Sequence, residues 1–172
     1  ASARLLAQRL KDAPGTAVVA GMEGSRPLLT EVQALVGSAR QGPPARVTLG
    51  VERARVAMLL AVLEKHDIPL VDRDVYVSAA GGVRTEGPAA DLGSVAAMVS
   101  SAWERAIPED MAFFGEVGLA GEIRPVPGGQ ERLSEAVKHG FKKAIVPKGN
   151  LPKTRIDGLE LIGVTKLEQA LD

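Results

Sequence analysis

The hydrophobic and polar positions of the chain follow two different periods, which predicts a mixture of β-strands and α-helices. Alternating or short continuous apolar runs, typical of strands, occupy residues 16–24, 26–39, 45–50, 74–82, 111–127, 142–147 and 159–164. Apolar residues at helical spacing occupy residues 2–10, 51–67, 88–103, 129–141 and 165–172. Because hairpin patterns fill the first half and strands alternate with helices in the second, we expect one α/β (α+β) domain with a mixed sheet.

Two of the predicted helices differ in how their apolar residues are distributed. Residues 88–103 begin with a proline suited to a first helical turn. Their apolar side chains recur at helical spacing, at Leu92, Val95, Ala96, Val99 and Trp103. Residues 51–67 are apolar on nearly all sides after Arg55, which is typical of a helix covered by several neighbours. We therefore expect the helix over 51–67 to be the central one.

The composition is that of one soluble domain with an aliphatic core. The 172 residues are 45% apolar and 24% charged, whereas aromatic residues make up only 3%. So few aromatic side chains argue against a protein that stacks the bases of single-stranded nucleic acid. No apolar run approaches the ~20 residues of a membrane span, and no signal-peptide pattern opens the chain. We therefore expect a cytoplasmic protein without membrane contact.

The residue types also disfavour several kinds of chemical site. The chain has no cysteine, which excludes disulfides and thiolate metal sites. His66 and His139 have no ligand partner at a useful spacing, so we expect no metal site. Gly81 and Gly82 end a predicted strand, but neither a phosphate-loop sequence nor the dinucleotide spacing follows. We interpret this glycine pair as a tight strand end, and we expect no nucleotide site.

The formal net charge is zero, but the charges are unevenly distributed. Residues 104–135 contain seven acidic residues and three arginines. Residues 136–156 contain no acidic residue and six basic ones, namely Lys138, Lys142, Lys143, Lys148, Lys153 and Arg155. A neutral total can therefore hide a locally positive surface.

Five segments agree in order and spacing with a known family, namely MEGSRPLLTEVQALV, LAVLEKHDIPL, VYVSAAGGVRTEGPAADL, FGEVGLAGEIRPVP and GFKKAIVPKGN. Through them, residues 15–170 resemble the C-terminal domain of the bacterial RadA (Sms) family of RecA paralogues, a domain similar to the proteolytic domain of Lon protease. The resemblance implies a Lon proteolytic-domain-like fold with ribosomal protein S5 domain 2-like architecture. It also implies that residues 1–14 are a linker or helix from a preceding ATPase domain and that 15–172 form the Lon-like domain.

In the Lon family, a serine that follows Gly-Pro at a helix start is the nucleophile, and a lysine from a later helix takes its proton. Here Gly87-Pro88 is followed by Ala89. Alignment of RPVPGGQERL by its prolines and terminal leucine places Gln130 at the position of the lysine. Because a methyl group cannot attack and an amide has no useful basicity, we expect this domain not to be a peptidase.

Two alternatives to this interpretation remain open. A Ser–Lys dyad could have moved, with Ser94 about a turn and a half beyond Ala89. The other residues considered for such a dyad are Ser100, Ser101, Ser134, Lys142 and Lys143. Glu86 and Asp91 flank the same helix start, where acidic residues cap the helix or act as acid and base. We favour capping for these two carboxylates.

A Lon-like fold without its chemistry can serve assembly or contact with double-stranded DNA. The resemblance implies a homohexameric ring, and basic side chains bind phosphates without reading sequence. The candidate DNA-binding residues are Arg26, Arg40, Arg46, Arg84, Arg124, Arg132, Lys142 and Lys143. Ion pairs of Arg84 with Glu86 and of Arg124 with Glu122, or plain solvation of the lysines, are the alternatives.

The resemblance also implies the setting in which such a domain works. It implies branched or double-stranded DNA and a RecA-type recombinase as partners of the whole protein. ATP and magnesium are expected in the missing ATPase domain, and no cofactor is expected in this one. DNA affinity should fall with added salt and vary little with sequence. A pure oligomerisation module without DNA contact stays open.

Overall fold

The structure is a computed structural model that describes residues 2–7, 10–80, 84–85 and 87–171. The strands are β1 (Thr16–Glu23), β2 (Arg26–Ala39), β3 (Arg46–Leu49), β4 (Arg73–Ala79), β5 (Met111–Phe113), β6 (Glu116–Val117), β7 (Ile123–Arg124), β8 (Lys143–Pro147) and β9 (Glu160–Val164). Within the described residues, the main sheet has seven strands in the order β3-β4-β2-β1-β5-β8-β9, and a separate hairpin pairs β6 with β7. This mixed sheet with its helices confirms the predicted α/β class.

The helices are α1 (Ser2–Leu6), α2 (Arg53–Lys65), α3 (Asp91–Trp103), α4 (Gly129–Lys138) and α5 (Leu167–Ala170). Short 3₁₀ turns over Pro88–Ala90 and Lys148–Asn150 precede α3 and follow β8. The first and last helices are shorter than their apolar spacing predicts. In the described part of the chain, the longest helices have 13 residues, and none is long and apolar enough to cross a membrane.

Strand direction divides the sheet into two ends. β2 is antiparallel to both of its neighbours, β1 and β4, whereas the other neighbouring strands of the described sheet are parallel. Strands β1, β4, β5 and β8 therefore all finish at one end, which we call the carboxyl end. The opposite end, where these strands begin, is the amino end.

The central helix is α3, and not α2 as the sequence pattern predicts. Every residue from 91 to 100 is buried, and α3 packs across β1 and β2. Helix α2 instead leaves Ala57 and Ala61 exposed and buries only one side. Alanine counts as apolar in a periodicity analysis but has little surface to lose to water, so it tolerates exposure. The prediction about α2 was wrong for this reason.

The first helix is fixed to the rest of the domain by a buried serine. Ser2 is 1% exposed, its Oγ accepts a hydrogen bond from the Leu29 backbone N–H at 2.8 Å, and it donates to Glu135 Oε2 at 2.6 Å. This hydrogen bond lowers the pKa of Glu135. The segment predicted as a linker therefore packs on β2 and α4 where it is described.

Residues 111–127, which the apolar pattern predicts to form strand structure, form three short strands. β5 joins the main sheet between β1 and β8, and the chain then leaves the sheet through Gly115 to form the β6–β7 hairpin. Gly115 has φ = 147°, and a Cβ there would lie 3.0 Å from Pro147 Cγ. The tight approach at Gly115 is what separates β5 from β6.

Candidate functional site

A cavity of about 460 Å³ opens beside Ala89 at the carboxyl end of the sheet. One wall is the β1–β2 hairpin, where Val19 pairs with Thr30 and Gly21 pairs with Leu28. The same hairpin also contributes Met22, Glu23 and Gly24, and three further segments complete the lining with Arg84, Thr85, Ala89, Ala90 and Arg132. The position expected to have lost its nucleophile therefore still lines a hollow of ligand size.

The backbone at Ala89 is held in place by β5 and the glycine that follows it. The Gly115 N–H donates to the Ala89 carbonyl at 2.8 Å, and the Leu92 N–H donates to the Gly115 carbonyl at 3.1 Å. Gly87 precedes the turn with φ = 70°, a backbone conformation that glycine adopts at low cost. The turn that would present a side chain at position 89 to the cavity is thus well fixed.

Arg132 from α4 is the buried basic residue among those that line this cavity. It is 5% exposed, its Nε donates to the Pro127 carbonyl at 2.9 Å, and its Nη1 donates to the Ala20 carbonyl at 2.8 Å. Its guanidinium carbon lies 5.6 Å from the centre of the Phe114 ring. Burial lowers the pKa of Arg132, although arginine stays charged in proteins.

Gln130, the position predicted to replace a catalytic lysine, is exposed and is not among the residues that line the cavity. Arg132, two residues later, lines the cavity together with Ala89. The signal in the sequence was helical spacing, because Arg132 lies four residues before the apolar Ala136, on the buried side of α4.

Ser94, the first alternative nucleophile, lies outside this cavity. It is 1% exposed, its Oγ has no hydrogen-bond partner among the described residues, and it lines a small void of about 10 Å³ with Arg55 and Asp91. Ser100 and Ser101 accept backbone N–H groups of Gly15 and Val36. Neither cavity is lined by a lysine among its described residues.

Asp91 forms a buried ion pair at the start of α3. Its carboxylate is 3% exposed and receives Nε of Arg55 at 2.8 Å, Nη2 of Arg55 at 2.5 Å and the Val117 N–H at 3.1 Å. Burial raises the pKa of Asp91 against the opposing effect of these hydrogen bonds. Asp91 therefore ties α2 and the β6–β7 hairpin to α3. Glu86, its predicted companion, lies outside the described residues, as do Gly81 and Gly82.

Four of the described basic side chains, in addition to Arg132, lie at the carboxyl end of the sheet. Arg26 follows the β1–β2 turn, and Arg84 lies at the cavity. Arg124 precedes Pro125, which lies close to Gly149 beyond the end of β8, and Lys148 is in that same turn. Arg26 pairs with Glu23 at 3.0 Å and Arg124 with Glu122 at 2.8 Å, both on the surface, whereas Arg84 has no such pair among the described residues.

The remaining candidate residues lie at the amino end, and two of them support the local fold. Arg40 pairs with Asp74 at 2.6 Å. Arg46 donates to the carbonyls of Ala45, Arg73 and Val71. Lys142 and Lys143 begin β8 at this same end, so the acid-free run is divided between the two ends of the sheet. Residues 136–156 thus form no single basic patch.

An exposed row of apolar side chains crosses β2, β4 and β3. Leu35 is opposite Tyr76, and Tyr76 is opposite Val47. Leu35 is 62% exposed, Val47 43%, Leu49 63% and Tyr76 36%. We call these four residues the sheet-face row. Among the described residues, no group of three or more His, Asp or Glu side chains is arranged to hold a metal ion.

Comparison with known proteins gives consistent matches. The protein-family model of the Lon protease (S16) C-terminal proteolytic domain matches residues 43–172 of this chain. The DNA repair protein RadA of Pseudomonas aeruginosa is 55% identical over 172 residues, which is 99% of this chain and 38% of that protein. RadA of Escherichia coli (strain K12) is 52% identical over 158 residues, or 91% of this chain and 34% of that protein. RadA of Aquifex aeolicus is 48% identical over 162 residues, which is 94% of this chain and 36% of that protein. The chain thus spans little more than a third of the curated relatives that it matches.

Proposed function

Because the chain belongs to the Lon protease C-terminal domain family and matches RadA DNA repair proteins along nearly its whole length, we propose that it is a non-proteolytic DNA-repair module. In this proposal the domain contacts double-stranded DNA independently of sequence and helps to assemble a homohexameric ring. ATP hydrolysis with magnesium and cooperation with a RecA-type recombinase belong to the rest of the protein. The observation that carries the proposal is the cavity lined by Ala89, at the position expected of the nucleophile, and by Arg132, with no lysine among its described lining residues.

The chemistry of this pair supports the non-proteolytic part. Ala89 offers no hydroxyl, and a guanidinium cannot accept a proton from one at neutral pH. Purified chain should therefore leave casein and short peptides uncut. Cleavage that survives clean purification and disappears in Ser94→Ala would instead establish a relocated active site.

For DNA contact, we favour the carboxyl end over the amino end. Arg84 is exposed and free of a described carboxylate partner, and the pairs of Arg26 and Arg124 are on the surface. Surface ion pairs contribute little, so a DNA phosphate can replace Glu23 or Glu122 at low cost. Arg40 and Arg46 already hold the loop before β3, and Arg132 is buried, so we leave all three out of the DNA surface.

Charge reversal tests this assignment. Arg26→Glu, Arg84→Glu and Arg124→Glu should each weaken duplex binding of the full-length protein. Each should reduce the slope of log K against log salt by about 1, because one phosphate contact is lost. Lys142→Glu, an exposed cation at the amino end, is the matched control.

Fluorescence anisotropy with a labelled duplex over a salt series measures both the duplex affinity and the slope of log K against log salt. If Lys142→Glu lowers affinity as much as the arginine variants do, the DNA surface lies elsewhere. If none of the arginine variants lowers it while the oligomer stays intact, the chain is an assembly module without DNA contact.

Self-association is supported by the sheet-face row. Exposed apolar side chains in a continuous row commonly mark protein–protein contacts. The row lies near the β3 edge of the sheet, and at Leu49 it reaches a hollow that Arg84 also lines. The proposed assembly surface and DNA surface therefore adjoin at the carboxyl end.

The double variant Leu35→Lys with Leu49→Lys should shift the oligomer towards monomer, measured by light scattering after size exclusion. Both side chains are more than half exposed, so folding should be retained, which circular dichroism checks. Leu119→Lys, at a leucine that is 74% exposed outside the row, is the control. An unchanged oligomer in the double variant would rule out this surface.

A further inference from the structure

In the part of the chain that the structure describes, the Arg132 guanidinium in the cavity beside Ala89 forms no ion pair, although Glu131 acts on it at longer range. Arg132 uses Nε and Nη1 for backbone carbonyls, but its Nη2 has no hydrogen-bond partner among the described residues. None of the described carboxylates lies within ion-pair distance of this guanidinium. Carbonyl oxygens and an aromatic ring compensate the charge only in part, because an arginine binds most strongly to an anion. The site therefore has capacity for one anionic group.

A second polar group in the same cavity also lacks a partner. Thr30 is 2% exposed and lines the cavity, and its Oγ1 has no hydrogen-bond partner among the described residues. Buried hydroxyl groups are nearly always hydrogen-bonded, so an unpaired one suggests a missing partner. A hydroxyl can donate to an anion. Thr30 comes from β2 and Arg132 from α4, so the two unpaired donors belong to independent elements.

The charges and walls of the cavity define the kind of ligand. Arg84 and Arg132 carry positive charge and Glu23 carries negative charge, so a single carboxylate would leave the lining neutral. The apolar part of the wall consists of Val19, Met22, Leu28, Ala89 and Ala90. The described lining has no aromatic side chain on which a nucleotide base could stack, and a phosphate dianion would exceed the available positive charge.

We propose that this cavity binds an apolar monocarboxylate, with its carboxylate on Arg132 Nη2 and Thr30 Oγ1 and its hydrocarbon part against Val19 and Leu28. The volume of about 460 Å³ suits a ligand of a few heavy atoms up to a short peptide end. The carboxylate can belong to a free short-chain acid or to the C-terminus of a peptide with an apolar last residue. This site shares Arg84 with the proposed DNA surface, but its proposed carboxylate contacts, Arg132 and Thr30, are not among the proposed DNA-binding residues.

Isothermal titration of the purified chain with three probes tests the proposal. The probes are hexanoate, acetyl-Ala-Ala-Leu with a free carboxylate, and the same peptide as its C-terminal amide. At least one carboxylate should bind at millimolar concentration, and the amide should not. Binding by hexanoate indicates a free acid as the ligand, whereas binding by the peptide acid alone indicates a chain end.

Variants then locate the contact. Arg132→Met should weaken binding about tenfold or more and Thr30→Val several-fold, as expected for a charge-assisted and a neutral hydrogen bond. Ser94→Ala removes another buried, unpaired hydroxyl that does not line this cavity, and it should leave the affinity unchanged. The acid–amide comparison needs no variant, so it decides the matter even if Arg132→Met fails to fold.

Three results would overturn the proposal. One is the absence of binding by both carboxylates, and another is equal binding by acid and amide. The third is inorganic phosphate binding more tightly than either carboxylate. A variant that loses duplex binding but keeps carboxylate binding contradicts neither the cavity proposal nor its ligand. A variant that loses carboxylate binding but keeps duplex binding leaves the proposed function intact, so the two proposals can be tested separately.

Discussion

The buried pair of Arg55 and Asp91 gives a sharp test of how α3 is held. Arg55→Met removes the cation and leaves the Asp91 carboxylate, 3% exposed, with only the Val117 N–H as a described partner. Breaking a buried pair by removing one side commonly costs about 3–5 kcal/mol. Because the Arg55 side chain is itself 24% exposed, we expect the lower part of that range. For a domain of this size, 1 kcal/mol shifts the melting temperature by about 2–4 °C, so we expect a fall of about 6–12 °C.

The penalty of Arg55→Met should depend on pH. Burial already raises the pKa of Asp91, and loss of Arg55 removes the main effect that lowers it. An acid whose pKa is raised in the folded state costs stability as pH rises above its unfolded value of about 4. The penalty should therefore be small near pH 4 and reach its full size once the pH exceeds the raised pKa of the variant.

Urea unfolding of both proteins between pH 4 and pH 8, followed by circular dichroism, measures this dependence. Adding Asp91→Asn to Arg55→Met removes the charge and keeps an oxygen for the Val117 N–H, so it should recover part of the loss at pH 8. A penalty that is the same at every pH, or a double variant as unstable as the single one at pH 8, would refute the reasoning.

Three further predictions concern other parts of the chain. Gly93→Ala places a Cβ 2.3 Å from a valine methyl of β1 and should cost about 1–3 kcal/mol in thermal unfolding, whereas Gly42→Ala, with nothing within 4 Å, should cost much less. Asp74→Asn should be destabilising at pH 7. Hydrogen bonds from the Ala45 N–H and Arg40 lower the pKa of Asp74, so the difference in stability from the native chain should shrink as pH falls below about 4. Ala89→Ser should restore no casein cleavage, since Arg132 cannot accept the proton; detectable cleavage would contradict this assignment.

Much of the fold follows from local patterns in the sequence. The β1–β2 hairpin has apolar runs on both sides of the turn at Gly24, and Pro88 marks the turn that leads into α3. The position of α3 at the centre could not be read in the same way. Its polar residues Ser94 and Ser100 count against burial in any periodicity analysis. Only the structure pairs Ser100 with the Gly15 N–H across the sequence.

The candidate site was harder to predict from the sequence than the fold. The sequence predicts Ala89 at the start of the helical segment that leads into α3, but nothing in the alignment by prolines indicates that Arg132 lines the cavity beside it. Whether a residue near a helix start faces inwards depends on how α4 packs against β1 and β2. Likewise, the lysines of the acid-free run are near in sequence, but those at the start of β8 and those after its end lie at opposite ends of that strand.

The strand order determines where the domain can be truncated without breaking the main sheet. The family model begins at residue 43, after β1 and β2, yet these two strands lie between β4 and β5. A fragment starting there would retain a β3–β4 pair and a β5–β8–β9 group with no strand to join them. Each piece would expose an unpaired edge prone to aggregation. A truncation that keeps the sheet continuous must therefore begin before Thr16.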